Sequence, residues 1–184
     1  MGHSNGVGAR LLRKEDDRFL RGKGQYIGDI LLDKTREVAF VRSPVAHARL
    51  LGIQIPESIQ SSVFTAEDLT GVKPIRAVSP LPGFKASEQP PLVTDKIRHV
   101  GELIAMCVAD TRAEAEDIAA QVMVDYDVLP AVVDMLDAQL SDAPRVHDSW
   151  NDNIYLEVSY DGEIESAARQ APVRVARTVR IARQ

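Results

Sequence analysis

Apolar positions recur along this chain with two different periods. In residues 37–55, EVAFVRSPVAHARLLGIQI, aliphatic and β-branched residues predict two strands, broken at Pro44 where the missing N–H spoils no ladder. His47, Arg49 and Leu51 alternate in the second run with Ala48, Leu50 and Gly52. IPESIQSS reads as a turn or a single helical turn, VFT as a short strand and AEDL as another turn. Residues 70–95 hold Pro74, Pro80, Pro82, Pro90 and Pro91 with Gly71 and Gly83, which predicts a long loop of the kind that serves as a lid or an interface segment. The strand pattern resumes in IRHVGELIAMCVAD, and the run 103–109 is apolar enough for burial on both faces.

The period then changes. TRAE matches a capping box, with Thr111 as N-cap and Glu114 reaching back. Ala115, Ile118, Ala119 and Val122 follow at i, i+3, i+4 and i+7, one apolar stripe facing a sheet. VMVDYDVLPAVVD leaves the helix as a strand that ends at Leu129-Pro130. This order of β-rich segment, helix and strand predicts an α+β unit over residues 23–140.

Both ends differ from that unit. Residues 1–22 are rich in glycine and charge without a period, so they are expected to form an extended arm lying on something larger. Gly22, Gly24 and Gly28 in GKGQYIGDI lack the spacing of a dinucleotide fingerprint and are expected in turns. After the polar stretch SDAPRVHDSWNDN, residues 154–181 predict strand, short helix and strand, with Val173, Val175, Val179 and Ile181 on one face of the last. Arg174, Arg177, Arg180 and Arg183 recur every third residue, but the β-branched residues between them favour a strand over a basic helical stripe. Such a strand with few local partners is an edge in need of a sheet.

Composition narrows the function classes. The chain has 184 residues and a formal net charge of −5, which gives it no overall electrostatic footprint for nucleic acid or an anionic membrane. No stretch approaches the roughly 20 apolar residues of a membrane span, and MGHSNGVGARLLRKEDD lacks the apolar core of a secretory signal. Cys107 is the one cysteine, set in LIAMCVA, and reads as a buried small hydrophobe in a reducing compartment. The cytoplasm is the expected location.

Candidate chemistry is sparse. Ser43 and His47 form the one local Ser/His pair, yet Pro44 and the β-rich flanks oppose the helix that would bring i and i+4 together. Arg42 and Arg49 are explained as charges at strand ends rather than as an anion site. His3, His47, His99 and His147 lie far apart in sequence, with no His-x-x-x-His or Cys-x-x-Cys pair to set a metal geometry. The acidic groups Glu15-Asp16-Asp17 and Glu114-Glu116-Asp117 read as solvated faces, and Asp125-Asp127 as an alternating strand edge. No catalytic, cofactor-binding or metal-binding residue is therefore expected in this chain.

Taken in order, GKGQYIGDI, VAFVRSPVAHARL, VFTAEDL, VGELIAMCVADT, AEAEDIAAQVMVDYDVLPAVVD and APRVHDSWNDNI resemble one family. They resemble the N-terminal α/β-hammerhead part of the large, molybdenum-binding subunit of the xanthine dehydrogenase, aldehyde oxidase and carbon monoxide dehydrogenase family. The resemblance runs from about Gly8 to the C-terminus, and the chain is shorter than the family opposite residues 56–64. It implies an α/β-hammerhead domain at 23–140 with a mixed sheet and few helices, and at 141–184 a linker and the start of a molybdopterin-binding domain. The family's pterin loops, substrate pocket and base glutamate lie beyond the region matched.

The implied role is scaffold and interface. The chain would be a split-off subunit or N-terminal portion of an oxidoreductase that hydroxylates a carbon centre or oxidises carbon monoxide, with water as oxygen source. The assembly would carry a molybdopterin-type molybdenum cofactor, 2Fe-2S clusters and FAD, none held by this chain alone. Its partners would be the molybdenum-binding chain, the iron–sulfur subunit and an FAD subunit. The competing expectation is an autonomous binding module that reuses the fold, with loop 70–95 as its recognition surface. In either case Ser43 and His47 are expected to hold a turn by backbone hydrogen bonds.

Overall fold

Eight strands and three helices, numbered in chain order, make up the computed structural model, which describes residues 13–30, 32–159 and 162–181. The strands are β1 (Glu37–Arg42), β2 (Ala48–Gln54), β3 (Val63–Phe64), β4 (Ile75–Arg76), β5 (Glu88–Gln89), β6 (Lys96–Ile97), β7 (Leu103–Ala109) and β8 (Met123–Val128). The helices are α1 (Asp16–Leu20), α2 (Arg112–Gln121) and α3 (Ile164–Gln170). The fold is α+β with few helices, as the patterning predicts.

The strands divide between two antiparallel three-stranded sheets, in the orders β1-β7-β3 and β6-β2-β8. Consecutive strands β1 and β2 thus lie in different sheets, and the chain changes sheet at Ser43-Pro44. β7 is the central strand of the first sheet, paired with β1 from Glu37↔Ala109 to Arg42↔Leu103 and with β3 at Val63↔Cys107. That position explains its apolar density: Ile104, Ala105, Cys107 and Ala109 are buried. In β2 the register to β8 slips between Leu50 and Gly52, which resets the inward parity. Leu51 therefore faces out, while Leu50 and Ile53 both pack on the core.

The core is aliphatic and shared. Ala48, Val93, Ile97 and Ile104 form one cluster, Val63, Ala105, Cys107 and Val122 a second, and Val41 and Ile53 touch both. α2 lies across the first sheet on small residues: Ala115 packs against Ala39 and Ala109, with Ile118 and Ala119 beside them. Its predicted capping box forms, since Thr111 Oγ1 accepts the Glu114 N–H at 3.3 Å and Glu114 Oε2 accepts the Thr111 N–H at 3.1 Å.

Three expectations change. The predicted arm 1–22 contains α1 in its described part, because Arg21 pairs with Asp17 at i, i+4 and Phe19 stacks on Tyr26 with ring centroids 5.9 Å apart. Gly22, at φ +66°, closes that helix in a Schellman arrangement, with Gly22 N–H to the Phe19 carbonyl and Lys23 N–H to the Arg18 carbonyl. Residues 1–12 lie outside the described residues. The loop 70–95 is not structureless, since β4 and β5 pair within it at Ile75↔Gln89 and Arg76↔Glu88. Finally, α3 forms at the C-terminal end, but the described residues on either side of it, 154–159 and 173–181, belong to no strand. A strand is a ladder, and no described segment pairs with these runs.

Candidate functional site

The Ser43–His47 junction is built to bridge the sheets. Ser43 is buried; its Oγ donates to the Val45 carbonyl at 2.7 Å and accepts the Val45 N–H at 3.1 Å. Its backbone bonds to Glu102 O and Gly101 N–H, and Gly101 takes φ +82°, the conformation a glycine tolerates. His47 is buried as well, with Nδ1 2.6 Å from the Pro130 carbonyl oxygen, while the Leu129 N–H donates to the His47 carbonyl. A carbonyl only accepts, so Nδ1 carries the proton and Nε2 is left buried without a partner among the described residues. Neither side chain hydrogen-bonds the other, so no nucleophile–base pair exists here. Replacing His47 by Ala is expected to destabilise the fold by about 1–2 kcal/mol in urea denaturation. Unchanged stability of that variant would overturn the structural role.

The two arginines are also structural. Arg42 Nη1 donates to the Gly101 carbonyl at 3.0 Å, and Arg49 Nη2 bonds Asp148 at 2.7 Å. Arg49 leads to a polar network that joins β2, β6 and residues 145–148, which the sequence pattern does not reveal. Lys96, its side chain only 2% exposed, donates from Nζ to Asp148 Oδ1 at 2.7 Å and to the Arg145 carbonyl at 2.9 Å. One carboxylate thus binds a cation from β6 and another from β2. Those two hydrogen bonds hold the Asp148 carboxyl down at about 2, from an ordinary 3.8.

Around it, residues 144–155 form a strap. Asn153 accepts the Val146 N–H at 2.9 Å and donates to the Pro144 carbonyl at 3.0 Å. Asp152 pairs with Lys85 at 2.6 Å and accepts the Ile154 N–H at 2.8 Å, and both contacts, Lys85 first, lower its pKa. Lys85 N–H bonds the Tyr155 carbonyl at 2.7 Å, and Phe84 meets the Tyr155 ring edge-on. The strap therefore ties loop 70–95 to the second sheet.

His99 and His147, distant in sequence, line one concavity of about 230 Å³ with Arg98, Glu102 and Gln89. Glu102, only 5% exposed, accepts the Arg98 N–H, and its carboxylate lies 3.7 Å from His99 Nδ1. Burial, then the charges of Arg98 and Lys96, lower the pKa of His147, which stacks on Trp150 at 4.3 Å. His47 does not join them, and His3 lies outside the described residues. Among the described residues no group of three or more His, Cys, Asp or Glu could hold a metal ion. Cys107, buried in the core with its thiol pKa raised by that burial, has no second cysteine to share an iron–sulfur cluster. These side chains do not fit a metal centre; they bind one segment of the chain to another.

The profile of the aldehyde oxidase and xanthine dehydrogenase a/b hammerhead domain matches residues 21–130. The chain belongs to that family. Within this molybdenum hydroxylase family, the hammerhead chain is 35% identical over 143 residues to the carbon monoxide dehydrogenase large chain of Hydrogenophaga pseudoflava, covering 76% of this chain and 17% of that one. The crystal structure of quinoline 2-oxidoreductase from Pseudomonas putida 86 matches with a TM-score of 0.73 at 36% identity, over 82% of this chain and 20% of that one. A solved copper- and molybdenum-containing CO dehydrogenase matches with a TM-score of 0.62 at 33% identity, over 77% and 18%. The hammerhead chain thus spans about a fifth or less of the relatives it matches, and no described helix is long and apolar enough to cross a membrane.

Proposed function

We propose that this hammerhead chain is the non-catalytic scaffold and interface part of a molybdenum hydroxylase, acting only with the remaining molybdenum-binding polypeptide and with iron–sulfur and FAD subunits. The family match over residues 21–130 carries this reading. Two features of the molecule support it. Among the described residues its polar networks hold segments together, and Ser43 and His47 do not hydrogen-bond each other. Large apolar side chains also stand exposed along the whole chain, among them Ile27, Val78, Val133 and Val175, as on a surface that other polypeptide covers.

In this reading residues 23–140 are the scaffold proper, and residues 141–184 link it to a molybdopterin-binding domain. The molybdopterin-type cofactor, the 2Fe-2S clusters and FAD would be held by the partners. They would supply the redox chemistry, by which a carbon centre is hydroxylated or carbon monoxide oxidised with water as oxygen source. This chain's residues position the polypeptide that follows them: the Lys96–Asp148–Arg49 clamp fixes residue 148 against β2 and β6. A lone buried thiol suits the reducing cytoplasm as the place of work.

A tagged pull-down from the native host, with native mass spectrometry and molybdenum, iron and flavin analysis, tests the assembly. The chain should be recovered with a molybdenum-containing polypeptide and with iron–sulfur and flavin partners. Recovery alone and metal-free, from cells in which the assembled enzyme is demonstrably present, would refute the scaffold role.

A further inference from the structure

Beyond β8 the chain passes through residues 131–144, AVVDMLDAQLSDAP, which belong to neither sheet. The segment is nonetheless built. Successive turns close it from within, by bonds from the Ala138 N–H to the Asp134 carbonyl, from the Leu140 N–H to the Asp137 carbonyl and from the Ala143 N–H to the Leu140 carbonyl. Asn153 of the strap pins its far end through the Pro144 carbonyl, at 3.0 Å. A segment so held has its shape before anything binds it, which lowers the ordering cost of binding.

Its surface combines apolar bulk with charge of one sign. Val133, Met135, Leu136 and Leu140 are 91, 71, 61 and 58% exposed, and Val132, Val133 and Leu140 line, with Asp137 and Asp142, a groove of about 280 Å³. Single exposed apolar residues need no explanation, but four in one short stretch mark a surface that another polypeptide covers. Asp134, Asp137 and Asp142 are the only ionisable residues of 131–144, and none of them makes an ion pair among the described residues. Asp134 accepts the Leu136 N–H at 2.7 Å, whereas the carboxylates of Asp137 and Asp142 are free of any described partner. We propose that residues 131–144 are the docking surface for a lysine-bearing, amphipathic segment of the molybdenum-binding polypeptide, which seats apolar side chains in the groove and sets its ammonium groups over Asp137 and Asp142. Charge and place select this occupant. The unpaired carboxylates disfavour an acidic partner, and the surface runs into residues 141–184, which lead to that polypeptide in the scaffold role proposed above and on which the docking depends.

Carbodiimide coupling in the assembled enzyme from the native host tests the surface, because it joins a carboxylate directly to a lysine amine in contact with it. Peptide mapping should find Asp137 or Asp142 joined to a lysine of the molybdenum-binding polypeptide, in a stretch that mixes basic and apolar residues. With glycinamide as the competing amine, both aspartates should label about tenfold less in the native enzyme than in the urea-unfolded one. Val133→Asp alters an exposed side chain outside the core and places a charge in the groove, so it should raise Asp142 labelling about tenfold, toward the unfolded level. Labelling of both aspartates as full as in the unfolded enzyme, in an assembly recovered intact, would overturn the docking surface and leave the scaffold role standing. A cross-link to an iron–sulfur or flavin subunit, or Asp142 labelling indifferent to Val133→Asp, would overturn it equally. Recovery of the chain alone would end both readings.

Discussion

Asp148→Ala lowers the unfolding free energy by about 3 kcal/mol at neutral pH, whereas Lys96→Met lowers it by about 1 kcal/mol or less. The asymmetry follows from burial. Lys96 is enclosed, and its ammonium has two acceptors, the Asp148 carboxylate and the Arg145 carbonyl. Removing the carboxylate strands a cation beside one neutral oxygen, while removing the cation leaves Asp148 half exposed and still bonded to Arg49. That exposure admits water, which sets the larger loss at the low end of the range for a broken buried pair. Urea titrations of both variants check the order, and equal losses would show that the strap is not held by this clamp.

The same residues dictate an acid-sensitive fold. The Asp148 pKa lies at about 2 in the folded chain and at an ordinary 3.8 when unfolded. Its contribution is therefore fully present above 3.8 and is lost as pH falls toward 2. The lowered pKa of His147 acts higher, because below its ordinary value of 6.5 the unfolded chain takes up a proton that the folded chain resists. Stability should therefore decline on acidification in two stages, the upper one absent in His147→Gln and the lower one in Asp148→Asn. Unchanged acid limbs in the two variants would refute this assignment.

Ile104→Ala lowers stability by about 3 kcal/mol, and Ile104→Val by about 1 kcal/mol, measured by guanidinium denaturation. Ile104 is fully buried on the central strand of the first sheet, yet its cluster includes Ala48 and Ile97 from the second. A cavity there is bounded by residues of both sheets, whose ladders limit how far either can move in to fill it, so most of the lost packing goes uncompensated. An exposed apolar position such as Val133 should change stability little when cut to Ala. A loss at Ile104 no larger than at Val133 would show that the sheets do not share one core.

Where structure is local, it was legible in the sequence. Thr111 and Glu114 announce α2, because a capping box involves residues three apart and needs nothing else. The apolar run 103–109 marks a strand covered on both faces, and Pro44 marks the break between β1 and β2. The Ser43 and His47 reading also follows from sequence, since proline beside β-rich flanks already denies them a helix. α1 was missed because its support is the stacking of Phe19 on Tyr26 and a glycine closure, which leave no apolar period.

By itself, then, the sequence determined the α+β class, the strand–helix–strand order around α2 and the burial of Cys107. The tertiary structure alone decided that β1 and β2 part into different sheets, that a bulge at Leu51 brings both Leu50 and Ile53 inward, and that Lys96 is enclosed under Asp148. These are long-range choices: which strand pairs with which, and which charge lies under a strap contributed from far along the chain, depends on sheets that must first assemble around a common core. A lysine between Asp95 and Ile97 looks like any surface lysine until β2, β6 and residues 144–155 close over it.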